Sequence, residues 1–450
     1  MTPLRWMLIL AVSATVFGCH RPTPVEEVAP AQSGVALDAS ADPTLNVPWP
    51  MWRGPDSQGV VADADPPIQW SDTKNIRFRV GIPGRGHSSP ILTEEMVVLA
   101  TADDEQQTQS VLAYSRTDGS LLWQTEIHTG NLPAPGELHQ KGTNANSTVA
   151  CDGERIYVPF LNSEKIFATA LDLSGQRLWQ RELGAFDSKF GYAPSPVLYK
   201  SFVIFAADNW GGGYLCAFEG KTGDLAWRVA RPVVSTYSSP MVAEFGGRDQ
   251  LLVPGCKKVA SYNPATGEEL WSTPCLAEAT CGTVVTLGDQ IFASGGYPDR
   301  ETVSLSTTGE KLWSNRVKLY EPSLVATGAE VYGITDDGIA YCWSAKTGEE
   351  HWKQRLGGSF SASPVVAGDR IYVSNLSGET FVFRATPEKY EEIAVNRLGD
   401  DCYASPAIDG DEIYLRIGDA SQGQRREQLV CIGQNKKDLS ESVAPDAVVE

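Results

Sequence analysis

The residues of this chain that could do chemistry stand in two interleaved registers. A small hydroxyl recurs eight times, at Ser89, Thr148, Ser195, Ser239, Thr283, Ser323, Ser363 and Ser405, and five of these precede proline. As nucleophiles they would need a histidine and a carboxylate beside them. The five histidines, His20, His87, His128, His139 and His351, show no such pairing, and with no His-Glu-x-x-His there is no recognisable zinc site. A structural role suffices, because only small side chains fit where inner strands converge on an axis. Strand side chains alternate, so the residues two positions earlier point the same way, toward an axial funnel. These are His87, Asn146, Ala193, Tyr237, Cys281, Glu321, Ser361 and Tyr403, with an insertion loosening the register at Tyr237. Aromatic, acidic and imidazole groups in one ring suit the reading of a ligand or peptide, and make His87, Asn146, Tyr237, Glu321 and Tyr403 the candidate binding ring. A merely solvated funnel is the alternative. No catalytic, cofactor-binding or metal-binding residue is assigned.

The elements that must position this ring are repeated. Gly-x-x-x-Trp ends at Trp123, Trp179, Trp227, Trp271, Trp313 and Trp352, which commits these six of twelve tryptophans to one structural role, docking blade on blade. Each unit of about 40 to 45 residues holds pairs of β-rich runs, such as Arg370-Ile371-Tyr372-Val373 and Thr380-Phe381-Val382-Phe383, separated by glycine-containing turns. Four short strands per unit is the arithmetic of a propeller blade. In unit seven the tryptophan is replaced, and unit eight, ending at Leu429-Val430-Cys431-Ile432, lacks its outer strand. Residues 75–80 have the alternation of that strand, with Phe78 where tryptophan would stand. The expectation is therefore an all-β, eight-bladed propeller of four-stranded antiparallel blades within residues 47–433, closed by an N-terminal strand that removes the open edge.

Composition agrees with one large β domain. The 450 residues include 42 Gly and 28 Pro, too many for long helices, and the 42% hydrophobic content rules out a disordered chain. A formal charge of −19 disfavours nucleic acid and anionic headgroups as electrostatic partners. At the start, Arg5 precedes an apolar stretch too short to span a bilayer, so residues 1–18 read as a signal peptide. Val16-Phe17-Gly18-Cys19 resembles the lipobox of bacterial lipoproteins, although Phe17 is bulky for it, and makes Cys19 the expected lipid attachment site. Residues 19–46 are rich in Pro, Ala, Ser and acid and read as a flexible tether, and residues 434–450 as a disordered tail.

Ala217-x-Glu219-x-x-Thr222-Gly223-x-x-x-Trp227 is similar to the tryptophan-docking motif of pyrroloquinoline-quinone (PQQ) dehydrogenases, with Glu where Asp is usual. Together with the lipobox, the eight repeats resemble the PQQ-like propeller lipoproteins related to the outer-membrane assembly factor BamB. Trp49-Pro50-x-Trp52-Arg53-Gly54-Pro55 and Gly86-His87-Ser88-Ser89-Pro90 resemble the set found in planctomycete-type bacteria. That resemblance implies a non-catalytic, lipid-anchored, periplasm-facing scaffold for protein partners, in outer-membrane assembly, with no cofactor. His20 after the lipid cysteine, in place of Asp, points to the outer membrane. The runner-up is a PQQ-dependent sugar or alcohol dehydrogenase with PQQ and Ca²⁺, and a third reading is a polysaccharide or small-ligand binding module. The dehydrogenase picture lacks its Cys-Cys pair, and no Cys-x-x-Cys-His is present to attach haem. Cys216, Cys342 and Cys431 are expected at equivalent interior places of blades three, six and eight, as small buried hydrophobes. Cys275 and Cys281 are near enough in sequence for a bridge that sequence alone does not assign.

If Cys19 carries the anchor, Cys19→Ser releases the protein from the membrane fraction, because no other segment can hold it there. Fractionation of envelopes checks this, and unchanged membrane association in the absence of a retaining partner overturns it.

Overall fold

A computed structural model describes residues 24–188 and 190–434, so Cys19, residues 1–18 and most of the expected tail lie outside the described residues. Strand pairing builds eight separate sheets arranged as blades. In blade one the strands are Ile91–Leu92, Met96–Asp103, Thr108–Ser115 and Leu121–Thr129, from axis to rim. Blades two to seven repeat this order, their innermost strands starting at Ala150, Val197, Met241, Val285, Val325 and Val365. Blade eight supplies Ala407–Asp409, Glu412–Asp419 and Arg426–Ile432 and takes Ile76–Ile82 as its outer strand, antiparallel, with Phe78 opposite Cys431 and Val80 opposite Leu429. The ring therefore closes as the repeat count requires. Blade seven gains a fifth strand, Val60–Val61, parallel to Val365–Ala367. Among the described residues no helix is long and apolar enough to cross a membrane.

The seams between blades explain the glycine and tryptophan spacing. Each docking aromatic stands opposite a small residue of its own third strand: Ala113, Ala170, Ala217, Ser261, Ser304 and Cys342 face the six tryptophans in order. The indole then donates its N–H to a carbonyl of the turn in the next blade and, for the first five, lies over that turn's glycine; Trp352 meets the glycine-free turn of blade seven at Thr386 O. Trp179 bonds to Gly220 O at 2.9 Å, Trp227 to Pro264 O at 3.0 Å and Trp313 to Ala345 O at 2.8 Å. Gly267, at φ 76°, shows why the turn residue is glycine, since a Cβ there would sit 2.6 Å from the Trp227 ring. Phe78 covers Gly119 of blade one in the same way and carries the ring across its join.

Blade seven places Ala394 in the tryptophan register, opposite Val382. Its aromatic arrives from outside the repeat. Trp70 is buried and stacks on Tyr372 with centroids 6.4 Å apart, much as Trp352 meets Tyr332 and Phe78 meets Tyr414 in their own blades. Asn396 holds it there, accepting the Trp70 backbone N–H at 2.9 Å and donating to Ile68 O at 3.0 Å.

Two expectations are corrected, and the pairing left open for Cys275 and Cys281 is answered. Cys342 and Cys431 share the register opposite the docking aromatic, but Cys216 lies one residue before it, facing Arg228 while Ala217 takes the place. Cys275 and Cys281 are both free thiols. The tether expected over residues 19–46 is, from Pro24 onward, a docked strap. Val28 exchanges backbone hydrogen bonds of 2.9 Å with Arg228 on the outer strand of blade three, a short helix follows at Pro30–Ser33, and Asp38 N donates to Ser201 Oγ at 2.9 Å. Val25, Val35 and Leu37 are its partly buried apolar contacts with the core of blades two and three, which is what a polar linker composition conceals.

Trp227 is fully buried whereas Trp271 is half-buried, so Trp227 is the sharper measure of the seams. Trp227→Ala is expected to cost on the order of 3 to 5 kcal/mol in chemical denaturation. A loss below about 1 kcal/mol would mean that these contacts do not hold the ring together.

Candidate functional site

The innermost strands are so short that the hydroxyl register falls where all eight blades approach the axis. There each backbone N–H donates to the hydroxyl of the next blade: Ser89 to Thr148, Thr148 to Ser195, Ser195 to Ser239, Thr283 to Ser323, Ser323 to Ser363, Ser363 to Ser405 and Ser405 back to Ser89, at 2.8 to 3.0 Å. At the remaining step, from Ser239 to Thr283, the Thr283 hydroxyl instead accepts the indole N–H of Trp52 at 2.9 Å. The belt fixes the residues two positions above it. All eight of them, His87, Asn146, Ala193, Tyr237, Cys281, Glu321, Ser361 and Tyr403, line one axial cavity of about 190 Å³.

The base of that cavity is stoppered by the N-terminal chain. Trp49 pairs with Leu92 of blade one, Pro50 O accepts from Cys151 N of blade two, and the segment then crosses to blades five, six and seven. Arg53 anchors the crossing. Its buried guanidinium donates to the carbonyls of Leu324 at 2.8 Å, Pro364 at 3.3 Å and Gln58 at 2.7 Å, and burial pulls its pKa down to about 9 against the favourable charge of Asp56. Gln58 completes the crossing by a reciprocal pair with Thr286, at 2.7 and 2.9 Å. Trp52 is thereby left as the floor of the funnel.

The opposite end is partly covered. Residues 129–144, the long insertion leading out of blade one, fold over the mouth, and Lys141 reaches Glu321 across 180 positions of sequence with Nζ to Oε1 at 2.9 Å. The second Glu321 oxygen accepts from Ser361 Oγ. Beside it, Asp336 takes the backbone N–H groups of Tyr320 and Glu321 at 2.8 and 3.0 Å, while burial raises its carboxyl pKa.

Around the mouth, His87 and Tyr403 stack in parallel with centroids 4.2 Å apart. The His87 Nε2 is buried without a hydrogen-bond partner, and burial, then Arg85, Arg416 and Arg425, hold its pKa well below the ordinary imidazole value of 6.5. Tyr237 hydrogen-bonds Ser235 at 3.0 Å and Ser188 at 3.2 Å, so the insertion before it does not take it out of the ring. Asn146 is turned to structural use, accepting from Thr143 N at 2.9 Å and donating to Tyr192 O at 3.1 Å. Burial, reinforced by Glu321 and Asp336, raises the Cys281 thiol well above its usual range, which keeps it protonated.

Sequence reasoning missed Lys141, His139, Phe190, Tyr320 and Trp52, which also line the cavity. Trp52 lay within the Trp49 to Pro55 motif, and the length of the insertion was a signal for Lys141 and His139. Phe190 and Tyr320 precede the ring positions at offsets no period marks. The residues present do not fit a tricarboxylated quinone with calcium. Among the described residues lining the cavity, Lys141 is the single formal cation, already paired with Glu321, and among the described residues no three His, Cys, Asp or Glu converge to hold a metal ion.

Comparison with known proteins gives the same architecture. The profile of the family described as outer membrane protein assembly factor BamB matches residues 56–190 and 185–354. No curated protein sequence matches the chain. Among solved structures, BamB from Moraxella catarrhalis is similar at 16% identity and a TM-score of 0.59, over 80% of this chain and 96% of that one. A europium-containing methanol dehydrogenase is similar at 11% identity and a TM-score of 0.65, over 87% and 99%. The quinohemoprotein alcohol dehydrogenase from Comamonas testosteroni aligns at 12% identity and 0.65, over 90% and 85%. At these identities the structural likeness concerns the fold.

Because the folded state holds His87 neutral, the unfolded chain binds a proton that the folded chain refuses as pH falls below about 6.5. Stability therefore declines on the acid side, and His87→Phe, which keeps a ring against Tyr403, is expected to flatten that decline. Denaturation midpoints between pH 7.5 and 5 check this; equal pH dependence in the two proteins would show that His87 ionises as readily folded as unfolded.

Proposed function

The chain belongs to the PQQ-like propeller family described as outer membrane protein assembly factor BamB, and from that premise we propose that it is a non-catalytic scaffold for protein partners in outer-membrane protein assembly. The family's propeller fold supports a scaffold role. The periplasmic, lipid-anchored setting and the partners are part of the same proposal. The observation that carries it is the character of the funnel, which has an aromatic floor and wall and whose single formal cation among the described residues is spent on an internal ion pair. A quinone enzyme must hold its cofactor's carboxylates and polarise its carbonyl, normally through a metal. The mouth instead offers shape, aromatic surface and a Glu321 network to a docking side chain. Structural overlap with methanol and alcohol dehydrogenases over 87% and 90% of this chain favours quinoprotein catalysis as the second reading.

Purified protein reconstituted with PQQ and Ca²⁺ is expected not to reduce an artificial acceptor with alcohols or aldoses. Combined His87→Ala, Glu321→Ala and Tyr403→Ala changes are expected to lower crosslinking to envelope partners while the protein stays folded. Substrate-dependent turnover that requires the quinone overturns the scaffold reading in favour of the dehydrogenase. Unaltered crosslinking moves the working surface away from the funnel.

A further inference from the structure

The docked strap fixes where the chain enters the propeller. Pro24, Val25 and Glu26 share a crevice with Gly211 and Gly212, which lie in the turn between the second and third strands of blade three. From there the strap runs antiparallel to Leu225–Arg231 and reaches Ser201, between the first two strands, at Asp38. The turn at residues 208–212 opens on the same face as the funnel mouth, because second strands run from the base of the ring to its mouth. The strap thus begins at the mouth-side rim of blade three and descends to the base.

This shortens the leash. A free tether from Cys19 to Val47 could reach roughly 95 Å, whereas the five residue steps from Cys19 to Pro24 span at most roughly 18 Å when fully extended. The large aromatic side chains among the exposed hydrophobic residues are Trp210 and Tyr297, 42% and 65% exposed, and both sit in mouth-side turns, with Val233, 47% exposed, beside the first on the same rim. Tryptophan and tyrosine are the side chains that settle at a membrane interface. A chain of net charge −19 gains little overall attraction to anionic lipid, so contact here would be made by tether length and aromatic insertion.

We propose that the mouth-side rim of blade three rests on the bilayer surface, turning the funnel toward the membrane and leaving the base and the rim of blade seven farthest from it. The proposal rests on the lipid anchor at Cys19. Its test uses the full acylated protein in phosphatidylcholine vesicles containing spin-labelled phosphatidylcholine, with a fluorophore placed at Val233→Cys or, on the opposite blade and the base face, at Glu388→Cys. Of the eight described native thiols, seven are buried and Cys281 is half-buried. Quenching at least threefold stronger at Val233 than at Glu388 is expected, and a 20-residue Gly/Ser insertion before Pro22 should abolish the difference without releasing the protein. Equal quenching at the two positions, with Cys19→Ser still releasing the protein, overturns the orientation alone. Retention of Cys19→Ser on the vesicles overturns the anchor and the proposal with it.

Discussion

A ring of blades holds only if every blade can lay a flat apolar surface on bare backbone in its neighbour, and every other feature of this protein depends on that contact. The third strand must carry a small residue opposite the aromatic, the next blade must turn on a glycine with positive φ, and a carbonyl of that turn must be free for the indole N–H. Trp179, Trp227 and Trp313 satisfy all three demands. Because the contact is made between consecutive blades, its loss at one place weakens a join of the closed ring. The two places where a blade lacks its own docking aromatic, at Ala394 and at the missing strand of blade eight, are met by Trp70 and Phe78 from one N-terminal segment.

That segment also accounts for what is particular to the molecule. Between Pro24 and Ile82 it straps blade three, stoppers the axial cavity, adds a parallel strand to blade seven, fills the seam after it and closes blade eight. A repeat confined to nearest-neighbour contacts makes equivalent surfaces. The irregular segment breaks that equivalence, and at Thr283 it even replaces one step of the hydroxyl belt with an indole.

The fold was legible because its demands are periodic. Glycine and tryptophan recur at the seams, hydroxyls recur at the axis, and strand alternation places His87, Glu321 and Tyr403 in a common ring once the hydroxyls are found. The rest had no period to betray it. Trp70 replaces an absent blade tryptophan from some 320 positions earlier, and Lys141 meets Glu321 only after the insertion has folded back across the mouth. The strap was hidden by composition: three aliphatic residues among prolines, serines and acids suffice to dock a segment on a core already built.

The chemistry of the mouth follows from groups placed for other reasons. Arg416 lies buried in blade eight, paired with Glu427 and donating to Ala100 O of blade one at 2.6 Å, so its evident work is to join the first and last blades. Its charge, with that of Arg425 held by Asp401, also falls on His87. An imidazole that stacks on Tyr403 and is denied its proton by burial first and by these cations second presents an uncharged ring to the funnel. The anionic side of the same mouth, Glu321, is neutralised in turn by Lys141. Closing the ring and covering its mouth thus leave an uncharged aromatic receptor at the centre of a strongly acidic protein, which suits recognition of an uncharged side chain better than the capture of an ionic cofactor.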